Sequence, residues 1–326
     1  MSIVDLISME WGNMAEITAH SATASTTKAR SGNYALRIVY MGWAQKTIPA
    51  RSEVYLQFGY HADASHTAVF FSLRKGSTSL ISIQRNASGY LELRSGWGGT
   101  LLGTGVTPTT HGQWYLIELH FRLADVDGVA ELRLDGNTEC IFAGDTKPDA
   151  NTEFDNLYFN QIGASGAVYY DDVVVNDTNG LVNNSWPGGL KLVLLKPAAE
   201  GPIQEWTPTP GPEHYTAVDE VPPSGTDYVR ANANDLTELF GLEDLPAEAQ
   251  SVKAVALDFH GLKGSTIAPT RIAQITRVDG VDYVQADQDL PLAEGIVRKI
   301  LDQNPAGGNW TVAAVNALIS GIKTRP

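Results

Sequence analysis

Cysteine is almost missing from this 326-residue chain: Cys140 is the single one. No intrachain disulfide can form, so a reducing cytoplasm is the simple folding compartment and the core must hold the fold unaided. Charge is also sparse, at 18% of residues, and it is acidic, with a formal net charge of −14. Residues 180–326 hold 11 Lys/Arg against 18 Asp/Glu, and residues 1–179 hold 12 against 19. Neither half is basic and no Lys/Arg run occurs, which argues against a nucleic-acid backbone as partner, since phosphate contacts need a basic face. No apolar run approaches the ~20 residues of a membrane span. The opening MSIVDLISMEWG is acidic and too short in apolar length for a secretory signal. Sequons such as Asn176-Asp177-Thr178 and Asn183-Asn184-Ser185 therefore read as loop composition.

Chemical signatures are equally scarce. The seven histidines, His61 and His66 flanking a loop among them, have no metal-ligand spacing, and no Cys-x-x-Cys exists. No Gly-x-Ser-x-Gly elbow supports a serine nucleophile.

What the chain does have is 31 Gly, 16 Pro and many short runs of alternating apolar residues. Glu53–Tyr60 alternates, with Val54, Leu56, Phe58 and Tyr60 on one face. Trp114–Leu123 is the clearest strand: Tyr115, Ile117, Leu119, Phe121 and Leu123 oppose Glu118, His120 and Arg122. Asp125-Val126-Asp127-Gly128 and Asp135-Gly136 then supply hairpin turns. Short strands separated by Gly, Ser and Asn continue to Tyr169–Asp177, where turn-rich Asn176–Asn184 and Trp186-Pro187-Gly188-Gly189 break the pattern. The expected organisation is mainly β: a sandwich or barrel over 1–179, a connector over 180–189, and a smaller β-rich domain over 190–326. That second domain should contain strands at Leu190–Lys196, His214–Val218 and Ser251–Phe259, among others, and a C-terminal helix over Thr311–Ser320 capped by Thr311.

Four groups of residues invite a functional reading. Trp97, in Ser95-Gly96-Trp97-Gly98-Gly99, and Trp43 could present indoles to a sugar ring, against the alternative of folding back onto the sandwich. Asp125 and Asp127 are candidate calcium ligands, against a plain hairpin turn; Asp171 and Asp172 could share an ion only across a bulge. Calcium is the only cofactor these residues suggest. Glu153-Phe154-Asp155-Asn156-Leu157-Tyr158 approaches the Glu-x-Asp-x-x-Glu strand of jelly-roll glycoside hydrolases, but Tyr158 replaces the second carboxylate that a retaining mechanism requires. Trp186, in an otherwise polar connector, reads as an inter-domain anchor.

The Tyr169–Gly189 stretch, with Trp114–Gly136 and Trp310–Lys323, resembles segments of predicted virion proteins of tailed bacteriophages and prophages, in which a concanavalin-A-like (laminin-G-like) jelly roll leads through a Trp-containing connector to a β-rich domain. The resemblance implies a non-enzymatic structural component of the virion, in the capsid decoration, tail or fibre, assembled in the bacterial cytoplasm. It implies other virion proteins as partners, in a homo-oligomer or as lattice-bound copies, with the second domain as the attachment domain. The alternatives are a carbohydrate- or receptor-binding module that takes a host surface glycan, and a polysaccharide hydrolase of the same fold.

Overall fold

The computed structural model describes residues 2–65, 67–162, 166–264 and 267–326; His66 lies outside them. The chain forms two compact units, Met1–Leu192 and Val193–Pro326.

The first unit is a jelly-roll sandwich of two antiparallel sheets. One sheet runs Asn137–Gly144, Gly128–Leu134, Trp114–Arg122, Glu53–Ala62, Val168–Asn176, Ala35–Ile38 and Thr23–Ser25, with Ile3–Ile7 also paired to Val168–Asn176. The other runs Leu101–Thr104, Leu91–Ser95, Thr78–Arg85, Val69–Lys75, Phe154–Asn160, Trp43–Arg51 and Ala19–His20. The alternation read from the sequence sets the packing. Val54, Leu56, Phe58 and Tyr60 turn inward, as do Ile117, Leu119 and Phe121, and they meet Phe71, Leu73, Leu157 and Phe159 of the facing sheet. Phe58, Phe71, Phe159 and Tyr170 form an aromatic centre with ring centroids 4.8–6.0 Å apart. The buried Tyr170 hydroxyl meets the Phe70 carbonyl at 2.7 Å, so the ring enters the core without stranding its oxygen.

The second unit is built on a six-stranded sheet ordered Pro197–Gln204, Thr237–Leu242, Ile319–Arg325, Arg271–Val278 and Val281–Val284, with Gln288–Asp289 beside Arg271–Val278. Two ribbons accompany it, Thr207–Thr209 with Tyr228–Arg230 and Val255–Gly261 with Gly295–Leu301. Three expectations change here. His214–Val218 holds a 3₁₀ turn at Tyr215–Ala217 instead of a strand. Leu190–Lys196 carries no strand; the sheet begins at Pro197. The helix is shorter than expected, Val312–Asn316, with Thr311 capping it through the Ala314 amide at 3.1 Å. Ile319 and Ile322, read as part of its apolar stripe, belong to the Ile319–Arg325 strand, which is hydrogen-bonded on both sides. A strand paired along two edges satisfies more backbone groups than two further helical turns would.

Candidate functional site: the outward face of the second sheet

The two outer faces of the sandwich differ. The first sheet's face is covered by the chain's own residues 186–192. Gln57 Oε1 accepts from the Gly189 and Leu190 amides, each at 3.0 Å, and its Nε2 donates to the Leu190 carbonyl at 2.8 Å. Glu118 accepts from Gly188, and Asp172 accepts from Leu192 at 2.7 Å. Trp186 lies on this face, its ring 3.8 Å from the Arg133 guanidinium carbon and edge-on to Tyr55 at 5.2 Å. The contacts of the expected inter-domain anchor thus fall on the first unit, and the end of the connector is laid along a sheet.

A bulge in the Val168–Asn176 strand brings Asp171 and Asp172 to the same neighbours, with Asp172 in the left-handed region at φ 50°. Both are buried. Asp171 accepts from the Arg30 and Ser31 amides, while Asp172 pairs with the Arg30 guanidinium and the Ser31 hydroxyl. Burial, with the neighbouring Asp172 charge, holds the Asp171 carboxyl well above the usual carboxylate range. The pair is a structural clamp whose oxygens are taken by the chain. Asp125 and Asp127 sit apart from this clamp: Lys147 meets Asp125 at 3.0 Å and Arg122 meets Asp127 at 3.4 Å. These two candidate calcium ligands are exposed, and each faces a cation of the chain. Among the described residues no group of three His, Cys, Asp or Glu is placed to hold a metal.

The second sheet's outward face is different. Tyr158 lies in register between Ser72 and Gln45, and Asn156 between Arg74 and Thr47. Because Leu157 and Phe159 point into the core, these neighbours point away from it. Trp43, two residues before Gln45, lies near-parallel to Tyr158 with ring centroids 6.0 Å apart. Trp97 meets the same tyrosine edge-on at 5.9 Å and stays 42% exposed. Its loop turns on Gly96 and Gly98, at φ +70° and +61°, a region that disfavours side chains with a Cβ. Ser82 pins that loop, donating to the Gly96 carbonyl at 2.7 Å and accepting from the Gly98 amide at 3.1 Å. Arg74 lies against both rings, 3.3 Å from the Tyr158 centroid and 5.0 Å from that of Trp97. Burial pulls its guanidinium below the usual range, and the Tyr158 phenol offsets part of that.

Polar groups fill the rest of the face. Asn156 Oδ1 accepts from Gln45 at 2.8 Å and from Thr47 at 3.0 Å. Glu92 accepts from Arg94, 2.7 Å to its Nη2. Glu153 and Asp155 both bind Lys75 at the strand entry, and Asp155 also accepts from the Gly76 amide. The two expected glycan-binding indoles are therefore brought together, and the residue that joins them is Tyr158, noted in the sequence only as a missing carboxylate. Arg74 gave no sequence signal of its own. Cross-strand register, which places it beside Asn156, was the missing information.

No protein-family model matches the chain, and no curated protein matches its sequence. Solved structures with a similar β architecture include alginate lyase Aly36B, at 14% identity and TM-score 0.38 over 54% of this chain and 98% of the other. An endo-β-1,4-glucuronan lyase from the fungus Trichoderma reesei aligns at 14% identity and TM-score 0.37, over 51% and 92%. A Trypanosoma rangeli sialidase mutant displaying trans-sialidase activity aligns at 12% identity and TM-score 0.37, over 52% of this chain and 28% of its own. The expectation of a non-enzymatic virion component is cut back to the fold: these structures share the β architecture alone with the chain, and none of the three is a virion protein.

Proposed function

We propose that the first unit engages carbohydrate on the outward face of its second sheet. One observation carries the reading: Trp43, Tyr158 and Trp97 gather on a sheet face whose other residues are amides, hydroxyls and charges. Aromatic rings offer flat apolar faces to a pyranose, and fixed side-chain donors and acceptors read its hydroxyls. Binding to a glycan array, followed by affinity electrophoresis, tests it. Trp97→Ala and Trp43→Ala should each weaken binding on the order of ten-fold, the size of about 1.4 kcal/mol. Wild-type affinity in both variants would reject this face as the site.

A second reading, cleavage of the bound chain on the same face, is favoured by the placement of Tyr158. Its ring and hydroxyl lie against the Arg74 guanidinium on the sheet's outward face, and tyrosine is among the side chains that can transfer a proton to a bound group. Release of new chain ends from bound polysaccharides, compared between wild type and Tyr158→Phe, tests it. Turnover that survives in Tyr158→Phe would remove that residue from the chemistry.

A further inference from the structure

Arg30, Arg51, Arg94, Arg122 and Arg133 of the first unit each pair with a carboxylate. Arg37 and Arg85 have none, but Arg37 Nε donates to the Tyr169 hydroxyl at 3.4 Å and the nitrogens of Arg85 are occupied by Thr109 and Ser65. Arg74 is placed otherwise. Its Nε donates to the Ser72 and Ser79 hydroxyls, each at 3.1 Å, which fixes the guanidinium plane. Beyond that it meets the Trp97 ring and the ring and hydroxyl of Tyr158, and among the described residues no ion pair joins it to a carboxylate. A half-buried guanidinium left without an acid is costly, above all in a chain of net charge −14, where a neutralising carboxylate is easily supplied. The same fork, held open at an aromatic platform, suits a planar anion bound from outside.

We infer that the ligand is a carboxylate-bearing saccharide and that Arg74 receives its carboxylate. The inference rests on the carbohydrate reading above. A pyranose stacked on Trp97 has its edge substituents beside the guanidinium, which lies 5.0 Å from that ring's centroid. The neighbouring Arg94 does not compete, because Glu92 and the Gly99 carbonyl already hold it. The overall acidity of the protein does not forbid an acidic ligand, since charges farther than about 8 Å are largely screened at physiological salt. It does require that selectivity come from one local cation.

The test uses the full chain and matched probes that differ only in charge. Galacturonan, glucuronan, alginate and hyaluronan are each compared with their carboxyl-reduced forms, and sialyllactose with lactose, so that uronates and sialosides are told apart. Wild type should bind at least one acidic probe about ten- to a hundred-fold more tightly than its neutral partner, the range of a charge-assisted hydrogen-bonded pair. Arg74→Gln should erase that preference while keeping the weak neutral binding, and Arg74→Lys should restore part of it. Circular dichroism checks that each variant is folded; if Arg74→Gln is not, Arg74→Lys and Ser79→Ala, which frees the fork, carry the comparison and should each reduce the preference. Equal binding of acidic and neutral probes by wild type would overturn the inference and leave the carbohydrate reading intact. A preference unchanged in the Arg74 variants would overturn the role of that residue. Binding of no saccharide, acidic or neutral, would overturn both.

Discussion

The Arg133 guanidinium carbon sits 3.8 Å from the ring of Trp186, so the chain after the jelly roll is held to the sheet it has just left. A cation–π contact contributes about 0.5–2 kcal/mol, and the Tyr55 edge contact about 0.5–1.5 kcal/mol more. Trp186→Ala should therefore loosen residues 180–192 without unfolding the sandwich. Limited proteolysis should cut the variant in that segment well before wild type. Equal resistance in the two proteins would show that the backbone hydrogen bonds to Gln57 and Asp172 suffice.

The buried Asp171 beside this segment carries a pH dependence. Asp171 has its carboxyl pushed up to about 8 from an ordinary 3.8, chiefly by burial. The folded form then binds a proton that the unfolded chain releases. Its contribution to stability is complete below about pH 4 and is lost as pH rises toward 8. Urea midpoints measured between those limits should fall for wild type relative to Asp171→Asn, whose amide cannot ionise. Parallel pH profiles for the two proteins would contradict this account.

How far the sequence foretold this molecule varies along the chain. Trp114–Arg122 was legible because one face is apolar and the other charged, and the strand pairs as that pattern requires. Thr311 was legible as a cap because capping is local. The end of its helix was not, because Ile319 and Ile322 fit either a helical stripe or a strand, and only pairing with Thr237–Leu242 and Arg271–Val278 decides between them. The course of the polar connector was not legible, because nothing local reveals that Gln57 and Glu118 will receive its amides. In the binding face, Trp97 and Trp43 stood out singly. Tyr158 and Arg74 gain meaning only when Phe154–Asn160 is set between Trp43–Arg51 and Val69–Lys75.

Cys140 offers a check on the packing of Asn137–Gly144. Burial, reinforced by the Glu139 charge, pushes its thiol up to about 11. At pH 8 only about one thousandth would be thiolate, the reactive form. Alkylation by iodoacetamide should be far slower than for a free thiol and should keep rising with pH toward 11. A plateau near pH 8.5 would mean that the thiol is exposed.

Gly321 tests the central strand of the second unit. A Cβ at this position would lie 1.9 Å from the Glu238 carbonyl oxygen and 2.8 Å from the Leu239 Cα. Both obstacles are backbone of the adjoining strand. That strand is fixed on its other side by Pro197–Gln204, so it has little room to withdraw. The buried Glu238 side chain anchors it further, accepting from the Trp206 amide at 2.9 Å and meeting His214 Nδ1 at 2.7 Å. Gly321→Ala should thus act as overpacking, at a cost of about 1–3 kcal/mol or more. Gly225→Ala, with open space at its Cβ and no positive φ, is the matched control and should be nearly neutral. Hydrogen exchange in the full chain separates the outcomes. Amides of Ile319–Arg325 and Thr237–Leu242 should lose protection in Gly321→Ala, while those of Glu53–Ala62 in the first unit keep theirs. Unchanged protection in the second unit would mean that the two strands do not approach as closely as the register requires.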